Sequence, residues 1–266
     1  MKLNNPENMA GTAHADRIVD QFTRQAVPFS TAKTIADRKA LQLLIDVTNA
    51  AAEDTVLDVA CGGGNVVCAF APRVSHATGI DMTPAMLEHA HATGKRQGLT
   101  NVNWDLGQAT ALPYADASFS IVVTRFSFHH FIEPLAVLKE MVRVCAPGGR
   151  VLVADMHTST DAAKAAAFNR MELLRDPSHV RALPVAELQA LFPAAGLPAA
   201  NVTFYELRDE LDNLLARSFP NPGDADKIRA LFTRAAQDDG LGIPISIEGS
   251  RILYRYPVAV LVATRR

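Results

Sequence analysis

The sequence has few of the residues that mark disulfide-rich, metal-binding or nucleic-acid-binding proteins. Of its 266 residues only three are cysteines, Cys61, Cys68 and Cys145, and no two of them have the CxxC spacing. This odd, unpaired set argues against a disulfide framework and against a zinc site, and it favours a reducing cytoplasm. The formal net charge is only −2. Without a basic stripe, we expect neither a nucleic-acid partner nor attraction to an anionic membrane.

Long apolar runs are also absent. No stretch approaches the ~18 consecutive apolar residues of a membrane span. The first residues, MKLNNPENMAGTAHADR, contain no apolar core of the kind found in signal peptides. We therefore expect no stable membrane insertion and a cytoplasmic location. Hydrophobic residues still make up 48% of the chain, which is enough for one large α/β domain with a substantial core.

The chain is organised around the segment 55–65, TVLDVACGGGN. Its β-branched apolar run predicts a buried strand that ends in the glycine turn 62–64, and a helix follows from Asn65. Many α/β nucleotide sites are built from this unit, because glycine lets a ligand approach the backbone and the helix start offers unpaired N–H groups. Asp81 ends the next predicted strand about 20 residues after the turn, where a carboxylate holds ribose hydroxyls. The alternative for Asp81 is a helix N-cap, a role that Thr83 also suits.

The order of the predicted elements indicates a mostly parallel, doubly wound sheet with right-handed crossovers. Helices are predicted at 16–24 and 31–51, and residues 1–10 are polar and expected to be loosely ordered. We divide the chain into an N-terminal helical cap, 1–52, and a binding domain, 53–266. Helical insertions are expected at about 157–184 and 211–246. Besides the first strand, the predicted strands are 75–81, 102–106, 118–126, 150–156, 202–207 and 258–264.

Four motifs between residues 53 and 156 carry a family resemblance. In order they are VLDVACGGG, GIDMTPAML, GQATALPYADASFSIVV and LKEMVRVCAPGGRVLVAD. They resemble the successive motifs of the S-adenosylmethionine (SAM)-dependent methyltransferases with a Rossmann-like fold, in particular the small-molecule enzymes of the ubiquinone and menaquinone type. The resemblance implies a seven-stranded sheet whose last strand, VAVLVAT, is antiparallel.

The resemblance also implies an activity. SAM would be the methyl donor and S-adenosylhomocysteine (SAH) the product, without a metal. We expect a small, aromatic or heterocyclic acceptor that is methylated on O, N or C, and a protein that is a monomer or a homodimer.

The resemblance implies ligand-binding roles for residues of the glycine turn and of the strand ends. Asp58 would lie beneath the methionine part of SAM, Asp81 would hold the ribose and Met82 would stack on the adenine. Ala60 stands where the family often has glycine, and Gln108 where Asp is commoner. A Gln amide both accepts and donates hydrogen bonds, so it still suits the adenine edge. The full set assigned to the cofactor is Asp58, Ala60, Gly62, Gly64, Asp81, Met82, Gln108, Ala109 and Arg125.

Candidate catalytic residues follow the fourth predicted strand, in the run RFSFHHF, 125–131. Ligands of open α/β sheets bind outside the carboxyl ends of the strands, so His129 and His130 are expected at the methyl donor. An imidazole, with a reference pKa of about 6.5, suits removal of a proton from the acceptor. Adjacent residues in extended chain point oppositely, so we expect one of the two rings to face the acceptor.

An acid at the end of the fifth strand is tied to such histidines in some members of the family, and Asp155 holds that position. Two alternatives remain open at this point. The histidine pair could cap the next helix and contact SAM without catalysis, and Asp155 could simply end its strand.

A lid over the acceptor is predicted from the run RDPSHVR, 175–181, together with the aromatic segment around Phe22. The run combines a proline turn with Arg175, His179 and Arg181, and its alternative interpretation is a solvated loop.

Two other functions are compatible with a fold of this type. One is a nicotinamide-dependent oxidoreductase, but CGGGNV does not match GxGxxG and no second domain is available. The other is a SAM-binding protein without turnover, which the presence of His129, His130 and Asp155 opposes.

Overall fold

A computed structural model describes residues 6–266 of the chain. Within this range, one sheet of eight strands has the order β3-β2-β1-β4-β5-β8-β6, and β7 pairs with β8. The strands are β1 (Thr55–Val59), β2 (His76–Asp81), β3 (Val102–Leu106), β4 (Phe119–Arg125), β5 (Cys145–Met156), β6 (Asn201–Glu210), β7 (Ile245–Glu248) and β8 (Arg251–Thr264). The helices are α1 (Pro6–Ser30), α2 (Arg38–Val47), α3 (Asn65–Phe70), α4 (Pro84–Arg96), α5 (Pro134–Val144), α6 (Ala162–Arg175), α7 (Val185–Ala194), α8 (Leu211–Ser218) and α9 (Asp224–Asp238).

The sheet has the predicted class and direction. Strands β1 to β5 are parallel to one another, and β8 runs antiparallel to β5 and to β6. The predicted number of seven strands is one too low, because the short strand β7 pairs with the first part of β8. Its four residues, ISIE, are too few for a reliable alternating pattern and are mostly exposed.

Helices cover both faces of the sheet, as a doubly wound fold requires. On one face, α5 and α7 bury a hydrophobic cluster that includes Leu138 and Phe192. On the other face, α2 and α3 bury a second cluster that includes Leu44 and Phe70. No helix within residues 6–266 has both the length and the apolar character needed to cross a membrane.

A third hydrophobic cluster lies beyond the carboxyl ends of the parallel strands. Met156, the last residue of β5, pairs with Val258 of β8, so residues 251–257 of β8 extend past the end of β5. This extension packs with α6, α8 and α9, and its buried Tyr254 and Tyr256 belong to the third cluster. A space therefore remains between this third cluster and the carboxyl ends of the strands.

The N-terminal helices differ from the prediction in their bounds. Helix α1 begins at Pro6, inside the segment expected to be loosely ordered, and the remainder of that prediction, residues 1–5, lies outside the described range. The second helix starts only at Arg38 because residues 31–36 form turns, and the Asp37 side chain accepts a hydrogen bond from the Ala40 amide at 2.9 Å. This cap fixes the start of α2.

Candidate active site

A cavity of about 1150 Å³ opens at the carboxyl ends of β1, β2 and β4, with α1 on its far side. We call it the large cavity. Its volume exceeds the roughly 300–1,000 Å³ of a typical ligand pocket, so it has room for a cofactor and part of an acceptor. Of the residues predicted to bind the cofactor, those that line it are Asp58, Ala60, Gly62, Asp81, Met82, Gln108, Ala109 and Arg125.

Gly64 is the one predicted cofactor residue that is absent from the wall of the large cavity. Its φ of +79° lies in the left-handed region, and a Cβ there would stand 2.5 Å from the Trp104 ring. Gly64 therefore serves the packing of the turn. Ala60 also has a left-handed backbone, with φ 57°, which strains an L-residue with a side chain.

Asp81 holds the glycine turn in place. One of its carboxylate oxygens accepts from the Gly62 amide at 2.9 Å, and the other accepts from the Thr83 amide at 2.8 Å. A carboxylate has about four acceptor positions, so two remain for a ribose diol. Thr83 does not cap α4 with its side chain, and its buried hydroxyl has no partner among the described residues.

Asp58 is buried beneath the turn, and neither of its carboxylate oxygens has a hydrogen-bond partner within the described chain. Burial, and next the charge of Asp81, raise the pKa of Asp58 well above its ordinary value. A buried carboxylate without a partner is costly, and a ligand cation at this position would relieve that cost.

Arg125 presents the complementary group in the same cavity. Its Nη1 donates to the Ile35 carbonyl at 2.7 Å and its Nε donates to the Tyr205 hydroxyl at 3.1 Å. Its Nη2 is buried and lacks a partner within the described chain. Together, Asp58 and Arg125 suit the ammonium and carboxylate of an amino acid, which fits the methionine part of SAM.

His129 is fixed by Asp155, as the sequence predicts for one of the two histidines. The imidazole Nδ1 lies 2.7 Å from Asp155 Oδ1, and the His129 amide donates to Oδ2 at 3.1 Å. Because an ionised carboxylate only accepts hydrogen bonds, the neutral form of the His129 ring carries its proton on Nδ1 and its lone pair on Nε2. Both side chains are almost completely buried.

The two histidines do not point in opposite directions, so the expectation of an extended chain is wrong here. They lie in a 3-10 turn, Phe128–His130, which brings their ring centroids to 4.2 Å. Both rings line a second space of about 50 Å³, the small cavity. His130 also lines the large cavity, whereas His129 does not. His130 therefore stands where the two cavities meet.

The chemical environment of His130 keeps its imidazole neutral. Burial, and next the neighbouring His129, lower its pKa to about 4. Its Nδ1 lies 3.0 Å from the Ser178 carbonyl oxygen, an atom that only accepts. Nδ1 therefore carries the proton, and the free lone pair is on Nε2.

The remaining wall of the small cavity is apolar or internally paired. Phe22, Phe29, Ile35 and Phe126 separate it from the large cavity together with His130. Two buried arginines also face it, and each is bound to a carboxylate: Arg175 to Glu172 at 2.6 Å and Arg217 to Asp209 at 2.6 Å. No unpaired cation of the described chain is left here to attract a charged acceptor.

The segment predicted as a lid is a buried loop for most of its length. Arg175 and His179 are buried, so the alternative of a solvated loop does not hold for them. Arg181 is exposed and pairs with Glu187 at 2.7 Å, away from both cavities. Phe22 lies edge to face with His130 at 5.1 Å. Movement of either segment stays a prediction.

Three further residues lie inside the two segments predicted as a lid, but the sequence analysis assigned no role to them individually. Gln25, Asp176 and Ser178 lie at or beside the small cavity, but they come from segments far from the histidines in sequence. The only available signal was the run RDPSH, whose chemistry is ambiguous without its neighbours.

The chain is similar to known methyltransferases in sequence and in fold. Residues 57–153 match the family model of the methyltransferase domain. The methyltransferase YcgJ of Bacillus subtilis, itself uncharacterized, is 33% identical over 218 residues, which cover 82% of this chain and 86% of YcgJ. The ubiquinone/menaquinone biosynthesis C-methyltransferase UbiE of Bdellovibrio bacteriovorus is 37% identical over 112 residues, or 41% of this chain and 47% of UbiE.

The crystal structure of YcgJ has the same fold. It superposes with a TM-score of 0.79 at 28% identity and covers 86% of this chain and 98% of YcgJ. This relationship decides against the nicotinamide-dependent alternative and against a binding protein without turnover. The chain belongs to the SAM-dependent methyltransferases, with SAM as its methyl donor.

Proposed function

We propose that this enzyme methylates a small, uncharged aromatic or heterocyclic acceptor that lies between the large cavity and the small cavity. The observation that carries the proposal is the position of His130 in the wall shared by both cavities. Three phenylalanines, Phe22, Phe29 and Phe126, form the rest of that wall together with Ile35. A flat apolar acceptor would pack against these rings, with its reacting atom toward the methyl donor.

The described residues of the small cavity carry no unpaired cation, and this supports an uncharged acceptor. Both arginines at the small cavity are bound to carboxylates, and Asp176 is hydrogen-bonded by Ser178. An acceptor carboxylate or phosphate would have to break a buried ion pair, which is strongly unfavourable. A neutral acceptor leaves these pairs intact.

The chain's own residues would bind the cofactor, orient the acceptor and remove its proton. When bound, SAM supplies an electrophilic methyl group. Asp58 and Arg125 would hold its methionine part, and Asp81 would hold its ribose. The aromatic wall would align the acceptor and exclude water. His130 Nε2, the nitrogen with the free lone pair, would take the proton of an acceptor O–H or N–H, and His129 with Asp155 is the second candidate.

A panel of probe acceptors tests this proposal. SAH release would be measured with uncharged phenols and N-heterocycles, and with carboxylate and phosphate-ester analogues of similar size. We expect turnover with uncharged members only. Turnover restricted to the anionic analogues would overturn the proposed acceptor class.

The proton acceptor is tested on whichever probe is turned over. His130→Ala should lower kcat by about 10²–10⁴-fold, while calorimetry shows an unchanged affinity for SAH. If neither His130→Ala nor His129→Ala loses more than a few-fold, alignment alone drives the reaction and the base assignment is wrong.

A further inference from the structure

The loop Arg175 to His179 contains two side chains, those of Asp176 and Ser178, that the proposed reaction has not used. Asp176 and Ser178 are both almost fully buried, with exposures of 1% and 0%. They follow α6 and reach His130, which is 48 positions away from Ser178 in the sequence. Burial of a carboxylate and a hydroxyl is costly unless hydrogen bonds compensate for it. Their partners therefore indicate what the segment does.

One carboxylate oxygen of Asp176 is bound twice by Ser178. Asp176 Oδ1 accepts from the Ser178 amide at 2.9 Å and from the Ser178 hydroxyl at 2.5 Å. The other carboxylate oxygen, Asp176 Oδ2, lies 3.5 Å from Gln25 Nε2 and 3.8 Å from Arg175 Nη1. Burial raises the pKa of Asp176, but His130, Arg175 and the bonds from Ser178 outweigh it and hold the pKa below its ordinary value.

The direction of these hydrogen bonds determines whether the Ser178 hydroxyl donates to His130 or accepts from it. A hydroxyl has one proton, and that of Ser178 is donated to Asp176. The Ser178 Oγ, 3.2 Å from His130 Nδ1, therefore acts as an acceptor there. The Ser178 carbonyl oxygen, 3.0 Å from the same nitrogen, is a second acceptor. His130 Nδ1 thus faces two acceptors on one residue.

We propose that Asp176 and Ser178 are positioning residues that hold His130 in the tautomer protonated on Nδ1, so that its basic Nε2 faces the cavities. Asp176 shapes the turn and orients the hydroxyl, and Ser178 supplies both acceptors. This inference rests on the proposed function only for its consequence in catalysis, since the tautomer is a property of the protein itself.

The arrangement is separate from that of the neighbouring histidine. His129 is held by Asp155 from the end of β5, whereas His130 is held by the loop after α6. His179, the third ring of the cluster, donates Nε2–H to Asn169 at 2.8 Å, because the same Asn169 oxygen also accepts the Ala182 amide. Within the described residues, no group of three or more His, Cys, Asp or Glu side chains is arranged so that it could hold a metal ion.

The importance of a fixed tautomer is known from serine proteases, where replacing the aspartate that sets it lowers kcat by about 10⁴-fold. Here the backbone carbonyl of Ser178 survives replacement of its side chain. We therefore expect a graded result: Ser178→Ala removes one acceptor, whereas Asp176→Ala also removes the bonds that shape the turn.

Nitrogen-15 NMR of the full-length protein, labelled in its histidine rings, reads the tautomer directly. His130 is assigned by comparison with His130→Asn, and spectra are recorded near neutral pH in the presence of SAH. We expect wild-type His130 to be protonated on Nδ1 alone. We expect a mixture of tautomers in Asp176→Ala and a smaller change in Ser178→Ala. A wild-type His130 protonated on Nε2 would overturn the proposal without any variant.

Asp155→Asn is the matched control, because it should change the signals of His129 and leave the tautomer of His130 as it is. Asp176→Asn, which keeps the shape of the side chain, replaces Asp176→Ala if that variant does not fold. If the His130 tautomer is the same in Ser178→Ala, in the Asp176 variant and in the protein that combines both changes, the positioning role is refuted.

Turnover of a neutral phenol probe separates this proposal from the proposed base. We expect kcat of the Asp176 variant to fall by about tenfold, with an unchanged affinity for SAH. This is less than the loss of about 10²–10⁴-fold expected on removal of a positioned base, because a mixture of tautomers retains some of the active form. A shifted tautomer with full kcat would leave the positioning role intact and refute His130 as the base. If the tautomer is unchanged in the Asp176 variant and kcat is lost only in His130→Ala, the positioning role is refuted and His130 as the base is supported.

Discussion

Asp58 and Arg125 face the same cavity, and each has buried polar atoms that no other residue of the described chain satisfies: both carboxylate oxygens of Asp58, and Nη2 of Arg125. Buried polar groups normally have partners. We expect the ligand to supply the missing partners. Its ammonium would pair with the Asp58 carboxylate, and its carboxylate would pair with the Arg125 guanidinium.

Asp58→Asn should therefore stabilise the protein without ligand while it weakens SAM binding. The raised pKa of Asp58 means that its contribution to stability is full below pH 3.8 and is lost as the pH rises through the folded-state pKa. An amide does not ionise, so the variant avoids this loss. Its affinity for SAH should fall by about 10- to 100-fold, the range for a charged hydrogen bond. Thermal unfolding and calorimetry measure the two effects.

Asp54→Asn is the matched control for this prediction, since Asp54 is buried but fully paired. Its carboxylate binds the Arg150 guanidinium, the Ser120 hydroxyl and the Ala51 amide. The control should lose stability and keep its SAH affinity. A lower melting temperature for Asp58→Asn without ligand would contradict the interpretation of Asp58 as an unpaired charge.

The glycine turn gives a second prediction. Gly64→Ala should destabilise the protein because φ is +79° and the new Cβ would stand 2.5 Å from the Trp104 ring. The backbone strain is about 1–2 kcal/mol and overpacking adds about 1–3 kcal/mol. Gly98→Ala isolates the packing contribution, because φ there is +69° but nothing lies within 4 Å. Urea unfolding followed by the fluorescence of Trp104, the sole tryptophan, compares them. Equal losses would refute the steric argument.

Contacts between residues that are close in the sequence could be predicted, whereas contacts between residues far apart in the sequence could not. Asp58, the glycine turn and Asp81 belong to one strand-turn-helix unit and its successor, so their local spacing, together with the family resemblance, predicts a shared site. Ser178 reaches His130 only through the packing of the loop after α6, and no periodicity encodes that contact. The bounds of α1 were underestimated for a similar reason, because α1 is stabilised by tertiary contacts such as Gln25 with the Ser218 carbonyl at 3.2 Å.

Acid sensitivity gives a third prediction. Burial lowers the pKa of His130 to about 4 and also lowers that of His179. Below pH 6.5 the unfolded chain protonates these rings, whereas the folded protein keeps His130 neutral until about pH 4. This contribution to stability is complete above pH 6.5 and is lost as the pH falls toward about 4, at up to about 1.4 kcal/mol per pH unit for each histidine.

His130→Asn should flatten that dependence, as measured by urea unfolding between pH 6.5 and 4. His76→Asn, at an exposed position, should leave it unchanged and controls for the loss of a histidine as such. Parallel stability curves for wild type and His130→Asn would mean that His130 is protonated at its ordinary pKa in the folded protein.

The fourth prediction concerns which segment moves when the ligand binds. Helix α1 contributes Phe22 and Phe29 to the wall of both cavities. Among the described residues of the segment 22–29, Gln25 makes the side-chain hydrogen bonds to the rest of the site, with Asp176 at 3.5 Å and with the Ser218 carbonyl at 3.2 Å. Closure over the acceptor requires a segment that opens at low cost. We expect amides of residues 22–29 to exchange faster without SAH than with it.

The run 175–181 should behave differently, because its amides are already bonded. The Asp176 amide donates to the Glu172 carbonyl at 2.8 Å, and the amides of Val180 and Arg181 donate to the His129 carbonyl at 2.8 and 3.0 Å. Hydrogen exchange followed by mass spectrometry should therefore find this run protected both with and without SAH. Protection of 175–181 that appears only with SAH would restore it as a moving lid, and it would also conflict with a loop that holds His130 in one tautomer before the ligand arrives. Equal exchange of 22–29 in both states would instead mean that α1 is a fixed wall, and the acceptor would have to enter by another route.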